Sequence, residues 1–509
     1  AIDYLTQAGA QAMAQVAYAE AADQFNHAVE LLERILPERR AQLADTLLLL
    51  GRAQMATGEA GDARASLLRS VDVAGEIGAI ERRATAAMEL MDVAQAFTFE
   101  DIGVLQRAFS DMPNQDSQLR ARVMSRLALL MTLPGFDRTP HAGELDAKQL
   151  ATEALAMARR IDEPAIIAEA LRTAYDVLAA YEDVDQRLAI ATEMLSLAER
   201  IGSPQLEFIA RSLRVIAFLL TGRVDEADRE IAAYEAIATT YHLPFNFWSV
   251  TTKKAMRAFM RGDLTTSESL MERARALGQR ADPDLSPVTY VWQSFFLRRE
   301  QDRLGELEAT LTAEADAHRT DWSGTFWQGL LAVLYADSGR FEQASAIISE
   351  LVAPGAGAIL PDTVSSFRLA VLALLADACA TIDDDTHAPI LVTAMEPHAH
   401  MFISPGNNLA FLGPVSHYLG RLLATMKERA RAESQFRAAL EAEARTVTPI
   451  LRTQTLGAYA GLLAGSDDRL GDAQHLLDEA NELAVRFNLP RATRIVRSLQ
   501  RSRIACHSP

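Results

Sequence analysis

A recurring spacing of side chains constrains the fold of this chain more than any other feature. A small residue is followed four positions later by a large apolar one and seven positions later by another, mostly small, residue. On an α-helix these three positions lie on one face, where small residues let a neighbouring helix approach and the large one fills the space between. The pattern occurs at Ala21/Phe25/Ala28, Ala63/Leu67/Ser70, Ala151/Leu155/Ala158, Ala191/Leu195/Ala198, Ala227/Ile231/Tyr234, Ala344/Ile348/Leu351, Ala432/Phe436/Ala439 and Ala473/Leu477/Ala480, and more weakly at Ser267/Met271/Ala274.

Glycines precede many of these triplets at two fixed distances. Glycine stands twelve positions before the first small residue of four triplets, at Gly9, Gly51, Gly420 and Gly461. It stands five positions before that residue at Gly58, Gly222, Gly262 and Gly339, whereas Lys427 takes this place before Ala432. The second position is typical of a helix C-terminus, so the pattern predicts a helix, a tight turn and a second helix packed antiparallel on the first. Such spacings resemble those of the tetratricopeptide repeat (TPR).

The period of the pattern gives the number of units. Successive triplets begin about 40 residues apart, and three larger gaps are close to twice that distance. We therefore expect degenerate units near residues 81–111, 288–318 and 363–398. Alternating β-branched runs are nearly absent, and Gly and Pro interrupt the helices too often for a long coiled coil. The sequence predicts an all-α superhelical solenoid of about 12 TPR-like hairpins without a sheet.

We expect one continuous solenoid over residues 1–509, with sections that differ in composition. They are an N-terminal arm (1–240), aromatic-rich central hairpins (241–341), a C-terminal arm (342–490), and a capping helix and tail (491–509). Since Ala1 is already in helical register, the chain is expected to be part of a longer polypeptide.

Charge and cysteine content exclude several classes of protein. The formal net charge of −18 argues against direct binding to nucleic acid or to an anionic membrane, because both require clustered Lys and Arg. Cys379 and Cys506 are far apart, which indicates neither a disulfide framework nor a thiolate zinc site. No apolar run approaches the roughly 20 residues of a membrane span. These features favour a cytoplasmic protein.

Motifs of catalysis are missing from the sequence. It contains no Gly-Lys dipeptide and therefore no Walker-type phosphate loop, and neither HExxH nor GxSxG occurs. We expect no catalytic residue, cofactor or metal, and hence no enzyme activity of this chain. A metal site is the alternative for one segment rich in potential ligands, which otherwise is a solvated acidic loop and a polar helix end: Cys379, Asp383, Asp384, Asp385, His387, Glu396, His398 and His400.

Aromatic and basic clusters are the candidate binding features. All four tryptophans fall in the central hairpins, in or just before predicted first helices, which line the concave face of a solenoid. Aromatic side chains there form a groove for a protein or small-molecule effector, or they wedge neighbouring hairpins together as core. The candidate groove residues are Trp248, Trp292, Trp327, Phe247 and Phe296, with Trp322 as a loop-borne lid. A predicted final helix carries Arg491, Arg494, Arg497, Arg501 and Arg503, either for an acidic partner or as a soluble cap.

Two segments resemble a known family. The first runs from Tyr4-Leu5 through Tyr18 and the Ala21 triplet to Leu36-Pro37, and the second joins Glu396-Pro397-His398-Ala399 and residues 411–420 to the Ala432 triplet. Both are similar to the solenoid region of large bacterial AAA/STAND-type signalling ATPases. The resemblance implies an upstream ATPase module, joined to a class III adenylate/guanylate cyclase domain or to a LuxR-type DNA-binding domain. No helix-turn-helix pattern follows residue 490, which favours the cyclase-linked arrangement or a truncated LuxR-type one.

Three functions follow from these observations. The resemblance implies a sensor that binds a ligand or partner and controls the adjacent ATPase or output module. The alternatives are a plain protein–protein scaffold and, from the segment between Asp383 and His400, a helical-repeat metalloenzyme.

Overall fold

The computed structural model of the chain describes most of its residues. Described are residues 1–93, 99–132, 145–178, 183–242, 244–283, 285–319, 324–352, 365–406 and 410–506, without the side chains of 99, 365–366 and 501–506. The chain forms two compact units, Ala1–Leu178 (unit 1) and Ala179–Pro509 (unit 2). The boundary at residue 178 falls in the predicted N-terminal arm, and the continuity of one solenoid over residues 1–509 stays a prediction.

Unit 1 consists of nine described helices, each of which packs against the next along the chain. They are α1 (Ile2–Ala14), α2 (Tyr18–Ile35), α3 (Arg40–Thr57), α4 (Ala60–Glu76), α5 (Ile80–Leu90), α6 (Phe99–Ser110), α7 (Gln118–Leu130), α8 (Ala147–Ile161) and α9 (Pro164–Val177).

Unit 2 continues the same construction with sixteen described helices. They are α10 (Val184–Ile201), α11 (Pro204–Leu220), α12 (Val224–Tyr241), α13 (Pro244–Met260), α14 (Leu264–Ala281), α15 (Leu285–Glu300), α16 (Glu308–Ala317), α17 (Gly324–Asp337), α18 (Phe341–Val352), α19 (Ser365–Thr381), α20 (Ala388–Met395), α21 (Val415–Thr425), α22 (Arg429–Thr446), α23 (Pro449–Ala464), α24 (Leu470–Arg486) and α25 (Pro490–Cys506). Single 3₁₀ turns occupy Leu304–Leu307, Glu396–His398 and Asp467–Arg469.

The triplets lie in the helical core as predicted. All members of the nine triplets are buried, and Ala21, Phe25, Phe436 and Ala439 have no exposed surface. Each of the three degenerate units contains two helices, α5 and α6, α15 and α16, and α19 and α20. Within each unit, most successive described helices pack against each other along the chain, so the prediction of an all-α solenoid of TPR-like hairpins is confirmed.

The turn between the helices of a hairpin has the expected backbone. The glycine five positions before the first residue of a triplet has a φ of 73° at Gly222 and 75° at Gly339. Val16 and Lys427, which take this place before two other triplets, adopt the same left-handed region with φ of 63° and 62°. Helices commonly end in this conformation, so these two turns keep their geometry without glycine, whereas Asp146, Gln186 and Asp468 at the same position do not have a positive φ.

The glycine at position −12 lets the first helix approach the large residue of the triplet. A Cβ at Gly9 would lie 2.6 Å from the Phe25 ring, and one at Gly420 would lie 2.7 Å from the Phe436 ring. Gly461 is different, because a Cβ there would meet no atom within 4 Å although Leu477 is buried. The last of these helix pairs therefore leaves open space where the others are packed.

Phe436→Ala is expected to destabilise unit 2 by roughly 3–5 kcal/mol, because it removes a fully buried ring that stacks on Tyr459 and contacts Gly420. Urea unfolding followed by tryptophan fluorescence measures this, since every tryptophan lies in unit 2. A loss below about 1 kcal/mol would contradict the triplet register.

One short β-ladder departs from the helical pattern. Strands β1 (Phe402–Ile403) and β2 (Gly413–Pro414) pair antiparallel between α20 and α21. Phe402 and Phe411 of this segment belong to one buried cluster with Val215 and Phe218 of α11. The backbone N–H and C=O groups of a buried connection must be hydrogen-bonded, and the ladder pairs some of them. The buried cluster joins this connection to α11, which is distant in the sequence.

Candidate functional site

The tryptophans predicted to line a groove lie in the interior of unit 2. Trp248, Trp292 and Trp327 are 4%, 3% and 1% exposed. The Trp292 ring stacks on Phe326 and meets Trp327 edge-on at 6.2 Å between ring centroids. This packing differs from the open aromatic face that we expected, because the rings fill space between helices.

The other predicted groove residues give a mixed result. Phe247 and Phe296 are half-buried, and Trp322 lies outside the described residues. Phe247 packs against the buried cluster of Phe208 and Tyr234. Binding of a partner by these hairpins stays a prediction, with the half-buried rings as its accessible part.

The segment considered for a metal site uses its polar groups locally. Asp384 accepts a hydrogen bond from the His387 ring at 2.7 Å, and the Cys379 thiol donates to the Asp384 carbonyl oxygen at 3.1 Å. Burial raises the pKa of Cys379 to about 12. Within the described residues no group of three or more His, Cys, Asp or Glu side chains is arranged to hold a metal ion.

Two of the C-terminal arginines pair with acidic residues of the same unit. Arg491 donates from Nη1 to Glu300 Oε1 at 3.2 Å, and Arg494 forms a bidentate pair with Asp302. The start of α25 is therefore docked on the end of α15, as expected of a capping helix more than of an acidic-partner site. Arg497 is exposed, and the side chains of Arg501 and Arg503 lie outside the described residues.

A cavity of about 680 Å³ opens among α19, α21, α22, α23 and α25. We call it the C-terminal cavity, and its polar lining includes Asp377, His417, Arg421, Gln454 and Arg491. Its volume falls in the range of small-molecule sites, roughly 300–1,000 Å³. Gly461 also lines it, which explains why a Cβ at that glycine would meet open space.

Buried ion pairs form the floor of the C-terminal cavity. Arg299 binds Asp337 through Nε at 2.7 Å and also binds Asp377, which pairs in turn with Arg421. Burial opposes ionisation of Asp337, but Arg299 and Arg491 beside it hold the pKa of that carboxyl well below its usual range. These pairs connect α15, α17, α19 and α21, so the floor links four hairpins of unit 2.

The network has as many carboxylates as arginines, but burial leaves polar atoms unsatisfied on both sides. Among the described residues, Glu300 Oε2 has no hydrogen-bond partner. Burial, together with the nearby charges of Arg299 and Arg491, lowers the pKa of Arg421 to about 9. Nε of Arg491, a residue 8% exposed, has no hydrogen-bond partner among the described residues. An unpartnered buried donor is costly, so an oxygen acceptor that bonded to this atom would be stabilising.

A series of hydrogen bonds leads from buried Glu443 to His417 in the lining of the cavity. The His417 ring pairs through Nδ1 with the Thr455 hydroxyl at 2.8 Å, and this hydroxyl donates to Glu443 at 2.5 Å. Burial, aided by Arg299 and Arg491, lowers the pKa of His417 to about 3, and burial raises the pKa of Glu443 to about 8. His417 is therefore neutral at pH 7 and does not add positive charge to the cavity.

Sequence reasoning noticed some residues of the cavity without assembling them. Arg491 stood out in the run of arginines, Gly461 in the repeat, and His417 in the segment that resembles signalling ATPases. Their common position depends on α19, α21, α23 and α25 packing together, which no local spacing encodes.

Comparisons with known proteins add the following. No protein-family model matches this chain, and no curated protein matches it. Among solved structures, a chain in the crystal structure of the APC/C hetero-tetramer Cut9–Hcn1 is similar, at 13% identity and a TM-score of 0.47 over 98% of this chain and 96% of that chain. No described helix is long and apolar enough to cross a membrane.

Proposed function

We propose that this chain is the non-catalytic sensor solenoid of a multidomain bacterial signalling regulator, and that the C-terminal cavity receives its ligand. The observation that carries the proposal is the open, partly charged cavity at Gly461, where a first helix lacks the packing that Gly9 and Gly420 provide in their hairpins. Open concave sites of this size, with apolar walls and a few polar groups, are usual for small-molecule binding, so the cavity favours a binding role.

The ion pairs in the floor of the cavity offer a way for ligand binding to alter the contacts between hairpins. Asp377 lies between Arg299 and Arg421, and Arg491 joins α25 to Glu300 of α15. A ligand that competes for one of these arginines changes the ion pairs between hairpins. Because each hairpin contacts mainly its neighbours, such a change can alter the packing of the next hairpin in the stack. The resemblance to signalling ATPases supports an adjacent ATPase or output module as the receiver of this change.

A plain protein–protein scaffold is the second candidate. The supporting observation is exposed aromatic surface in the central hairpins, where Tyr241 and Phe341 are each 51% exposed and Phe245 is 41% exposed. Exposed aromatic rings are typical contacts of protein partners. In a scaffold of this kind, substitutions in the C-terminal cavity leave partner binding unchanged.

Filling the cavity tests the sensor proposal. Gly461→Phe places a ring in the cavity without a clash at Cβ, and Gly471→Phe is the matched control on α24, where a Cβ is equally unobstructed but the residue lies outside the cavity lining. In equilibrium dialysis against a mixture of bacterial metabolites, we expect a compound to be enriched by the wild-type chain and by Gly471→Phe. Gly461→Phe should weaken that enrichment roughly tenfold or more.

The same pair of variants tests regulation in a longer polypeptide that contains the ATPase module. The enriched compound should change its rate of ATP hydrolysis, and Gly461→Phe should remove that change. Equal enrichment of every compound by the two variants would count against the cavity as the ligand site.

A further inference from the structure

We infer that the C-terminal cavity binds a small amphiphilic molecule through an anionic carboxylate or phosphate group that is held by Arg491 and drawn in by Lys427 and Arg429 at the rim. This inference rests on the proposed function, since it takes the cavity to be the ligand site and specifies the chemistry of the ligand.

The unpartnered donor of Arg491 locates the anionic group. Arg491 lines the cavity, and its guanidinium uses Nη1 for Glu300 while Nε has no acceptor among the described residues. Its Nη2 lies 3.6 Å from Asp337, beyond a good hydrogen bond. A carboxylate or phosphate oxygen is the strongest acceptor for a guanidinium donor, and it would satisfy the buried Nε.

The charges around the cavity favour an anion. Four basic side chains line it, Arg421, Lys427, Arg429 and Arg491, against two acidic ones, Asp377 and Asp383. This local excess stands out in a chain with a formal net charge of −18. Arg421 is bound to Asp377 and Arg491 to Glu300, so the excess of positive charge comes from Lys427 and Arg429 at the rim, against exposed Asp383.

Among the described residues, no carboxylate pairs with Arg429 at the rim. Arg429 donates to the carbonyl oxygens of Leu462 and Gly465, at 2.9 and 3.0 Å, and so caps the end of α23. Lys427 is exposed on the turn before it, with φ of 62°. Cations at the mouth of a concave site raise the local concentration of anions and speed their entry.

The remaining wall of the cavity is apolar and selects the body of the ligand. Phe436, Leu462, Ile495 and Leu499 line it beside aliphatic Ala458. Apolar walls with a few converging polar groups are usual for small-molecule sites, where the walls supply binding energy and the polar groups set orientation. An anionic head on an apolar body matches both parts of the cavity.

Four probes that share one alkyl chain test the head group. Octanoate, octyl phosphate, octanol and octylamine are titrated into the full chain by isothermal titration calorimetry. At least one of the two anions should bind roughly tenfold or more tightly than octanol and octylamine, because a charged oxygen is a stronger acceptor for the Arg491 donor than a hydroxyl and an ammonium cannot accept. The tighter of octanoate and octyl phosphate identifies the preferred head group.

Three variants assign the effect to the residues named. Arg491→Gln should weaken the anion about tenfold, and Lys427→Asn roughly two- to fivefold, since exposed charges contribute less. Arg497→Gln, an exposed arginine on the same helix outside the lining, should leave binding unchanged. Asn tolerates the left-handed backbone of position 427, so that variant remains informative even where Arg491→Gln fails to fold.

The results separate this inference from the proposed function. Binding of octanol or octylamine as tight as that of both anions, abolished by Gly461→Phe, overturns the anionic head group and leaves the cavity as a ligand site. Anion binding that is the same in the wild-type chain, Arg491→Gln and Lys427→Asn also overturns it. Failure of every probe, together with no effect of Gly461→Phe in the dialysis experiment, counts against both.

Discussion

Arg299→Met is expected to destabilise unit 2 by about 3–5 kcal/mol. Arg299 is 7% exposed and binds both Asp337 and Asp377. Its removal leaves Asp337 without its main partner in a buried position and Asp377 with Arg421 alone. Breaking a buried pair costs more than the pair contributes, because the remaining charge is desolvated without compensation.

Urea unfolding followed by tryptophan fluorescence measures this effect, with Arg303→Met as the matched control. Arg303 is half exposed, and its ion pair in the described part of the chain is local, with Glu306 three residues away. Its replacement should therefore change the free energy of unfolding by less than about 0.5 kcal/mol. Equal stability of the two variants would show that the charged floor does not hold the hairpins together.

Lys253→Met is expected to stabilise unit 2 by about 3–5 kcal/mol at pH 6. Lys253 on α13 is 1% exposed, and its Nζ donates to the Ser249 hydroxyl at 3.1 Å and lies 5.2 Å from the Tyr234 ring. Burial lowers the pKa of Lys253 from an ordinary 10.5 to about 7. A shift of about 3.5 units corresponds to roughly 5 kcal/mol of penalty on the charged form. Methionine fills a similar volume without that penalty.

The lowered pKa of Lys253 makes the stability difference between wild type and Lys253→Met depend on pH. Between about pH 7 and 10.5 the unfolded lysine binds a proton and the folded one does not, so wild-type stability rises with pH in this window. The penalty of the lysine is full below pH 7 and is lost as the pH approaches 10.5. The advantage of Lys253→Met should therefore shrink to less than about 1 kcal/mol at pH 10.

Lys254→Met provides the control at the neighbouring position. The Lys254 side chain is 42% exposed and binds Glu235 at 2.8 Å, so its replacement should have little effect on stability at either pH. A pH-independent difference between wild type and Lys253→Met would contradict the depressed pKa of Lys253.

Local spacing was enough to predict the repeating fold. The triplet around Phe436 and the glycine at 420 are complementary shapes on two successive helices, and their separation in the chain is short. Helix faces repeat every 3.6 residues, so such pairs are visible in one sequence. Lys427 was only a departure from the glycine pattern in the sequence, and the structure shows that it nevertheless adopts the left-handed conformation of the turn.

Only the tertiary structure decided where binding groups lie. Burial of Trp292 and Trp327 could not be read from their spacing, because a core wedge and a groove both place large side chains on one helix face. The charged floor joins Arg299 to Asp377 and Arg491 to Glu300 across long stretches of chain, and charge pairs at such separations leave no periodic signal. Gly461 stands at the same distance before its triplet as Gly420 does. It nevertheless faces a cavity, because in the tertiary structure no aromatic ring packs against it.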